Sequence, residues 1–278
     1  LVGLKAWEEI TMKILVNGAS GNVGSGAVEA LSPRHHIRIS DITPMESPHS
    51  LFQADVRVPG ALDEASRDID VIIHTPAFHG IHMRKHSEQE FYELNITGTF
   101  QMFQSAVRNK VRRVVWMSSM SVYGSNFYAY TKKIGEQLCQ YFHEQHGMEI
   151  IMLRPADFTP YRDILHYGER LLHGGVDRRD VIQAVVLATE CQQTYGAYHI
   201  KRQDPFSEED VQAYTESPME VWDKVHPGAK KIIEKYGFKL PARIQLADLS
   251  KEREELGYKP AFNFGTFISE FTKDGDII

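Results

Sequence analysis

Between residues 12 and about 153 the chain alternates short apolar runs with longer amphipathic stretches. The runs are rich in β-branched residues and bounded by turn formers, which predicts strands near 12–16, 36–40, 51–54, 70–74, 112–118 and 149–153. The stretches between them predict helices near 22–31, 60–67, 88–109 and 128–146. In the third of these, Phe91, Leu94, Ile96, Phe100, Phe103, Ala106 and Val107 recur at helical spacing and bury most of one side. In the fourth, Ile134, Leu138, Tyr141 and Phe142 share a face, and Gly147 ends the helix. This alternation of strand and helix implies an α/β fold, a doubly wound parallel sheet covered on both faces.

After residue 154 the pattern changes. A helix near 177–190 and a strand near 197–201 still fit the main sheet. Residues 205–278 hold short helical patterns, the prolines 205, 218, 227, 241 and 260, and one strand expected near 242–247. The expected organisation is therefore a sheet domain over 12–160 with parts of 175–204. A small mixed α/β C-terminal lobe, formed by 161–174 and 205–278, would carry the substrate. Either Met12 is close to the native start, or residues 1–11 are a loose N-terminal extension.

Composition narrows the class of function. Of 278 residues, 42% are hydrophobic and 24% charged, enough for a core that needs no staples. A net charge of -6 supplies no basic field, which argues against nucleic acid as a partner. Cys139 and Cys191 lack metal or redox spacing and read as thiols of a reducing compartment, so a cytoplasmic protein is expected. No apolar run has the length of a membrane span, and Trp7-Glu8-Glu9 interrupts the start where a signal peptide would need an apolar core.

The first strand runs into Gly18-Ala-Ser-Gly21-Asn-Val-Gly24 and then a helix. A pyrophosphate needs close backbone approach and free amide hydrogens, which glycines at a strand-to-helix turn provide. Asp41 closes the second strand, where a carboxylate accepts hydrogen bonds from ribose hydroxyls and repels an added phosphate. This favours NAD over NADP. Tyr128 and Lys132 stand one turn apart at a helix start, and among twelve tyrosines no other has lysine four residues on. A phenol is a weak base unless a cation holds its anion. Ser119 ends the preceding strand with a hydroxyl suited to a substrate oxygen, and Asn95 places an amide inside a long helix.

Together these motifs resemble the extended short-chain dehydrogenase/reductases, the group called the NAD-dependent epimerase/dehydratase family. The resemblance runs from Met12 to about Phe267. It is carried by the three glycines, Asp41, Ala54-Asp55-Val56, His74-Thr-Pro-Ala77, Asn95-Ile-Thr-Gly98, Ser119-Met-Ser-Val-Tyr-Gly124, Tyr128 to Lys132 with Glu136, and Arg154-Pro155. Gly175-Val-Asp-Arg-Arg-Asp180-Val and Asp248 to Gly257-Tyr extend it. It implies a Rossmann-type fold that binds NAD through Gly18, Ser20, Gly21, Asn22, Val23, Gly24, Asp41, Asp55, Val56, Thr75, Ala77, Lys132 and Pro155. It also implies catalysis by Ser119, Tyr128 and Lys132 with Asn95 in support, and a homodimer formed by helices 88–109 and 128–146 in a four-helix bundle. Tyr128 would take a hydroxyl proton as hydride passes to the nicotinamide.

Three departures from the family pattern shape the expected reaction. Dehydratases of the family carry Asp-Glu after the catalytic hydroxyl; Met120 and Ser121 stand here, which removes the acid and base of dehydration. Only Ser125-Asn-Phe127 separate Gly124 from Tyr128, which is either a short form of a longer loop or a chain lacking a stretch of it. The segment 159–174 is compact, which favours a small substrate. His79, Ser121 and Arg179 are the candidate substrate contacts, and His79, His82 and His86 read as a pocket-lining loop rather than a metal site. The leading reading is an NAD-dependent oxidoreductase or epimerase acting on a secondary hydroxyl of a sugar or nucleotide sugar. A dehydrogenase of a small sugar or uronate and a non-catalytic dinucleotide sensor are the alternatives.

Overall fold

The computed structural model describes residues 11–158 and 162–273. The extension expected over residues 1–11 falls almost wholly outside the described residues, as do 159–161 of the compact segment. Seven strands form one parallel sheet in the order β3-β2-β1-β4-β5-β6-β7. They are β1 (Lys13–Asn17), β2 (His36–Asp41), β3 (Ser50–Gln53), β4 (Val71–His74), β5 (Arg113–Met117), β6 (Glu149–Pro155) and β7 (Tyr195–Ile200). Every residue of β4 and β5 is buried, and β1 is buried after Lys13, which is the mark of parallel strands covered on both faces. The register sets Asn17 beside both Ser40 and His74, so three polar side chains meet at neighbouring strand ends.

The chain divides into two compact units. The first comprises residues 1–117, 124–152 and 194–196. Its helices are α1 (Asn22–Leu31), α2 (Glu88–Phe91), α3 (Gly98–Arg108) and α4 (Phe127–His146). The helix expected over 88–109 is not continuous: between α2 and α3 the chain widens into a π-helical turn, Tyr92–Thr97. There the Gly98 N–H donates to the carbonyl of Glu93, five residues back, and Thr99 Oγ1 donates to the Asn95 carbonyl at 2.7 Å. The helix expected over 60–67 is instead a series of turns, in which Asp63 N bonds Gly60 O and Arg67 N bonds Glu64 O. Gly60 and Asp68 bracket that series with φ of 77° and 58°, outside helical geometry. The short link before α4 closes without strain, because Asn126 caps the helix with a side-chain bond to Ala129 N at 2.8 Å.

The second unit comprises residues 118–123, 153–193 and 197–278. It holds α5 (Ile164–Leu172), α6 (Arg178–Glu190), α7 (Glu208–Ala213), α8 (Pro218–Val225), α9 (Ala229–Tyr236), α10 (Ser250–Leu256) and α11 (Phe264–Lys273). Trp222, Phe264, Phe267, Leu171 and Ile233 centre its core. The strand expected near 242–247 is irregular chain. Ile244 is buried in this core while Leu246 is exposed, so the alternation reflects the burial of one side chain and not pairing in a sheet.

Candidate functional site

The glycine turn closes through backbone contacts that a side chain would prevent. Gly18 follows β1 with φ of 81°, and its N–H donates to the Ser40 carbonyl at 2.8 Å. A Cβ on Gly24 would stand 2.1 Å from the Gly18 oxygen and 2.8 Å from Ala19 Cα, so α1 rests directly on the turn. Gly21 precedes α1 with no side-chain cap, and the first turn of α1, opened by Asn22 and Val23, has no acidic residue. A helix N-terminus with its dipole and no side-chain cap is the kind of cradle that suits a dinucleotide pyrophosphate.

Asp41 is buried at the end of β2. Its Oδ2 accepts from Ser20 N and Ser20 Oγ, both at 2.8 Å, and its Oδ1 accepts from Thr43 N at 2.9 Å. The carboxylate is therefore fixed against the turn before any ribose arrives. Arg38, the cation earlier on β2, is committed to the carbonyls of Ala65 and Arg67 and lies over the Phe52 ring. Asp55 is clasped by Arg57 at 2.7–3.0 Å, and that bond holds its carboxyl below the usual range. Val56 is buried beside it in sequence. Thr75 Oγ1 donates to Asn17 O at 2.9 Å, tying the end of β4 to the glycine turn, and Ala77 follows, partly buried.

Beneath the turn lies a network that motif reading missed. Ser40 Oγ donates to Asn17 Oδ1, and Asn17 Nδ2 donates to His74 Nδ1, each at 2.9 Å. His74 Nε2 is buried without a hydrogen-bond partner among the described residues. Burial, with the Lys132 ammonium adding to it, pushes the His74 imidazole down to about 3, so the ring is neutral. The available signal was polar residues closing apolar strands at Asn17, Ser40 and His74.

The first turns of α4 carry Tyr128 and Lys132, both buried. Lys132 Nζ donates to the Met117 carbonyl at 2.7 Å and lies 4.8 Å from the Trp116 ring centre and 5.9 Å from that of Tyr128. Burial lowers the Lys132 ammonium to about 8, with Cys139 and Glu136 pulling the other way. The Tyr128 hydroxyl lies 3.5 Å from His79 Nδ1. Asn95, in the π-helical turn, acts as a bracket. Its Oδ1 accepts from Phe78 N at 2.8 Å, and its Nδ2 donates to Phe78 O at 2.9 Å and to Thr131 Oγ1 at 3.0 Å. Thr131 Oγ1 donates in turn to the Tyr128 carbonyl. The amide thus joins the loop after β4 to α4 through its own hydrogen bonds.

Ser119, Ser121, Pro155 and Arg179 belong to the second unit. Ser119 Oγ accepts from Ser121 N at 3.0 Å, and Pro155 is buried at the end of β6. The Arg179 guanidinium is bonded to Asp177 and Glu270, and it covers the Phe262 ring at 3.5 Å. Its donors serve the unit's own packing. In the histidine-rich loop, His82 Nδ1 accepts from His79 N, and His86 pairs with Glu90.

The sequence model of the NAD dependent epimerase/dehydratase family matches residues 14–188, well over half of the chain. The chain belongs to the NAD-dependent epimerase/dehydratase family. Among curated relatives, the uronate dehydrogenase of Pseudomonas syringae pv. tomato is 28% identical over 169 residues, covering 53% of this chain and 60% of that protein. The L-arabinose 1-dehydrogenase (NAD(P)(+)) of Haloferax volcanii is 29% identical over 175 residues, 51% of this chain and 65% of that protein. The matched region thus spans less than two thirds of the length of either relative. Among solved structures, the UDP-glucuronic acid 4-epimerase of Bacillus cereus in complex with NAD aligns with a TM-score of 0.66 at 21% identity, over 96% of this chain and 99% of that one. A mutated uronate dehydrogenase aligns with a TM-score of 0.68 at 18% identity, over 97% and 88%. These likenesses show that the chain shares the fold of those two proteins. Among the described residues, no helix is long and apolar enough to cross a membrane, and no group of three His, Cys, Asp or Glu is placed to hold a metal ion.

Proposed function

We propose that this protein is an NAD-dependent oxidoreductase acting on a sugar hydroxyl, with Tyr128 as the base. The observation that carries the reading is the Tyr128–Lys132 pair: a buried phenol one helical turn from a buried ammonium that is anchored on Met117. The cradle at Gly18, Gly21 and Gly24 supports NAD, since close backbone approach at a helix start without a side-chain cap suits a pyrophosphate. Bound NAD would supply the hydride acceptor.

The chain's own residues would do the rest. Ser20, Asn22 and Val23 would present the turn to the pyrophosphate, and Asp41 would receive the adenosine ribose on a carboxylate already held by Ser20 and Thr43. Asp55, Val56, Thr75, Ala77 and Pro155 would line the rest of the cofactor. Lys132 would keep Tyr128 as phenolate while it is charged, and Tyr128 would take the proton of the substrate hydroxyl. Ser119 would hold the substrate oxygen, as its motif implies, with Ser121 beside it. Asn95 would act by position, since its donors and acceptor go to Phe78 and Thr131.

A free sugar or uronate is the favoured substrate class, supported by the two dehydrogenase relatives and by Met120-Ser121 in place of a dehydratase acid–base pair. Epimerisation of a nucleotide sugar is the second reading, supported by the likeness of fold to the NAD-bound epimerase. Exposed Tyr92, Phe100, Tyr130 and Tyr141 on the helices of the first unit support a homodimer through those helices, in a cytoplasmic protein. Tyr128→Phe is expected to cut turnover by about a thousandfold or more with NAD affinity preserved. Uronic acids, free sugars and UDP-, GDP- and dTDP-sugars with NAD, followed for NADH and for isomers, separate the substrate classes. Turnover that survives the substitution removes Tyr128 as the base, and a purified chain that binds no NAD removes the reading.

A further inference from the structure

We propose that His79 is a positioning residue for Tyr128, presenting Nδ1–H to the phenol oxygen and helping to hold it as phenolate. The proposal rests on Tyr128 as the base and extends it to a residue outside the Tyr-Lys-Ser set. The Nδ1 atom stands 3.5 Å from the Tyr128 hydroxyl, and the two rings meet edge to face with centres 6.1 Å apart. A contact of that length is weak in the resting protein, and it strengthens when the acceptor becomes an anion.

The loop that carries His79 is fixed from both sides. Asn95 bonds both backbone groups of Phe78, the preceding residue, and His82 Nδ1 accepts from the His79 N–H at 2.9 Å. Phe78 itself stacks on His86 with ring centres 3.9 Å apart. The imidazole is therefore presented by built structure and does not swing freely.

Its charge state suits the role. Burial, then the Lys132 ammonium and His82, push the His79 imidazole down to about 4, so between about pH 4 and pH 8 it is neutral while Lys132 is charged. A protonated ring would add a second cation beside Lys132 and be repelled by it, whereas a neutral ring gives a hydrogen bond without that cost. The other titratable groups around the phenol within this unit are Lys132 on α4 itself, His82 behind His79, and His74 at the end of β4, which faces Lys132. From α2 the phenol meets the apolar ring of Phe91, while Glu90 is turned to Ser87 and His86.

The test needs no substrate. The tyrosinate absorbance of the NAD-saturated wild type, less that of Tyr128→Phe, isolates the ionisation of one phenol among twelve tyrosines. His79→Ala is expected to raise the midpoint of that ionisation by about one pH unit, and His79→Asn, which keeps a donor near the same place, to return most of it. NAD affinity measured on each variant confirms that the cofactor site is intact. A midpoint unchanged or lowered in His79→Ala overturns the assignment of His79 alone. A wild-type difference spectrum with no ionisation below the ordinary tyrosine range overturns the base assignment first, and this proposal with it.

Discussion

The two units of this chain differ in how completely their polar clusters are closed. In the second unit the charged clusters are largely closed on themselves: Asp177 is bonded by Tyr167 and Arg179, Arg179 also reaches Glu270, and Asp204 joins Arg202 to His226, with only Arg202 Nε buried and unpartnered among the described residues of the unit. Burial and the Asp177 carboxylate raise the Tyr167 phenol against the pull of Arg179, so it stays protonated and serves as a donor in the packing. In the first unit, by contrast, polar groups at the strand ends are held in place yet left with unused capacity. His74 has an Nε2 unpartnered among the described residues, and Asp41 has lone pairs beyond its three donors. Saturated polar clusters specify a fold, whereas rigid but unsaturated ones are what a ligand can complete.

That contrast can be broken most sharply at the glycine turn. Gly24→Ala drives a Cβ into backbone that cannot move aside, and NAD binding is expected to weaken by about a thousandfold, read by titration calorimetry. Wild-type affinity in that variant would show the turn to be ordinary. Next in size is Asp177→Ala, which leaves Arg179 and Tyr167 without their shared acceptor and removes the cap of α6. A loss of about 3 kcal/mol in denaturant unfolding is expected, with NAD affinity within about twofold. A comparable loss of NAD affinity would erase the contrast.

His74 sharpens it through pH. Its imidazole falls from 6.5 to about 3 in the fold, so below 6.5 the unfolded chain takes up a proton that the folded chain refuses. The stability this group confers is complete above about pH 6.5 and drains away as pH falls toward 3, with about 2 kcal/mol gone by pH 5. Unfolding curves of His74→Gln should be flatter over that range, and a slope equal to wild type would place the neutral ring elsewhere. The smallest effect belongs to Glu270→Gln. That ion pair with Arg179 is about half exposed on both sides, and less than about 0.5 kcal/mol should change.

How far the sequence could be read follows the same division. The strands of the first unit were legible because parallel strands covered on both faces need unbroken apolar runs, and the glycine turn because its geometry excludes side chains. Tyr128, Lys132 and Asn95 were visible as motif residues. The π-helical turn around Asn95 was not, since a single widened turn leaves the helical periodicity of Phe91, Phe100 and Phe103 almost unchanged. The 60–67 segment carried helical periodicity through Leu62, Ala65 and Ser66, yet those residues pack from turns. In the second unit, Ile244 and Leu246 imitated a strand because short-range alternation does not reveal whether a partner strand exists. The Asp177–Arg179 clasp escaped notice because neighbouring opposite charges read equally well as a solvated turn or an anion site.

The extra residue accommodated between Tyr92 and Thr97 sets the phase of everything after it. A π-helical turn offsets the helix by roughly one residue's rotation, about 100°, relative to an unbroken α-helix. Removing one residue there would let the helix rewind to ordinary pitch and swing the Asn95 amide off the Phe78 backbone. The loop bearing His79 would then lose its tether, although no atom of Tyr128 or Lys132 had been touched. Spacing along this helix is therefore itself part of the inheritance, and a one-residue length change should be felt where side-chain substitutions on its outer face are not.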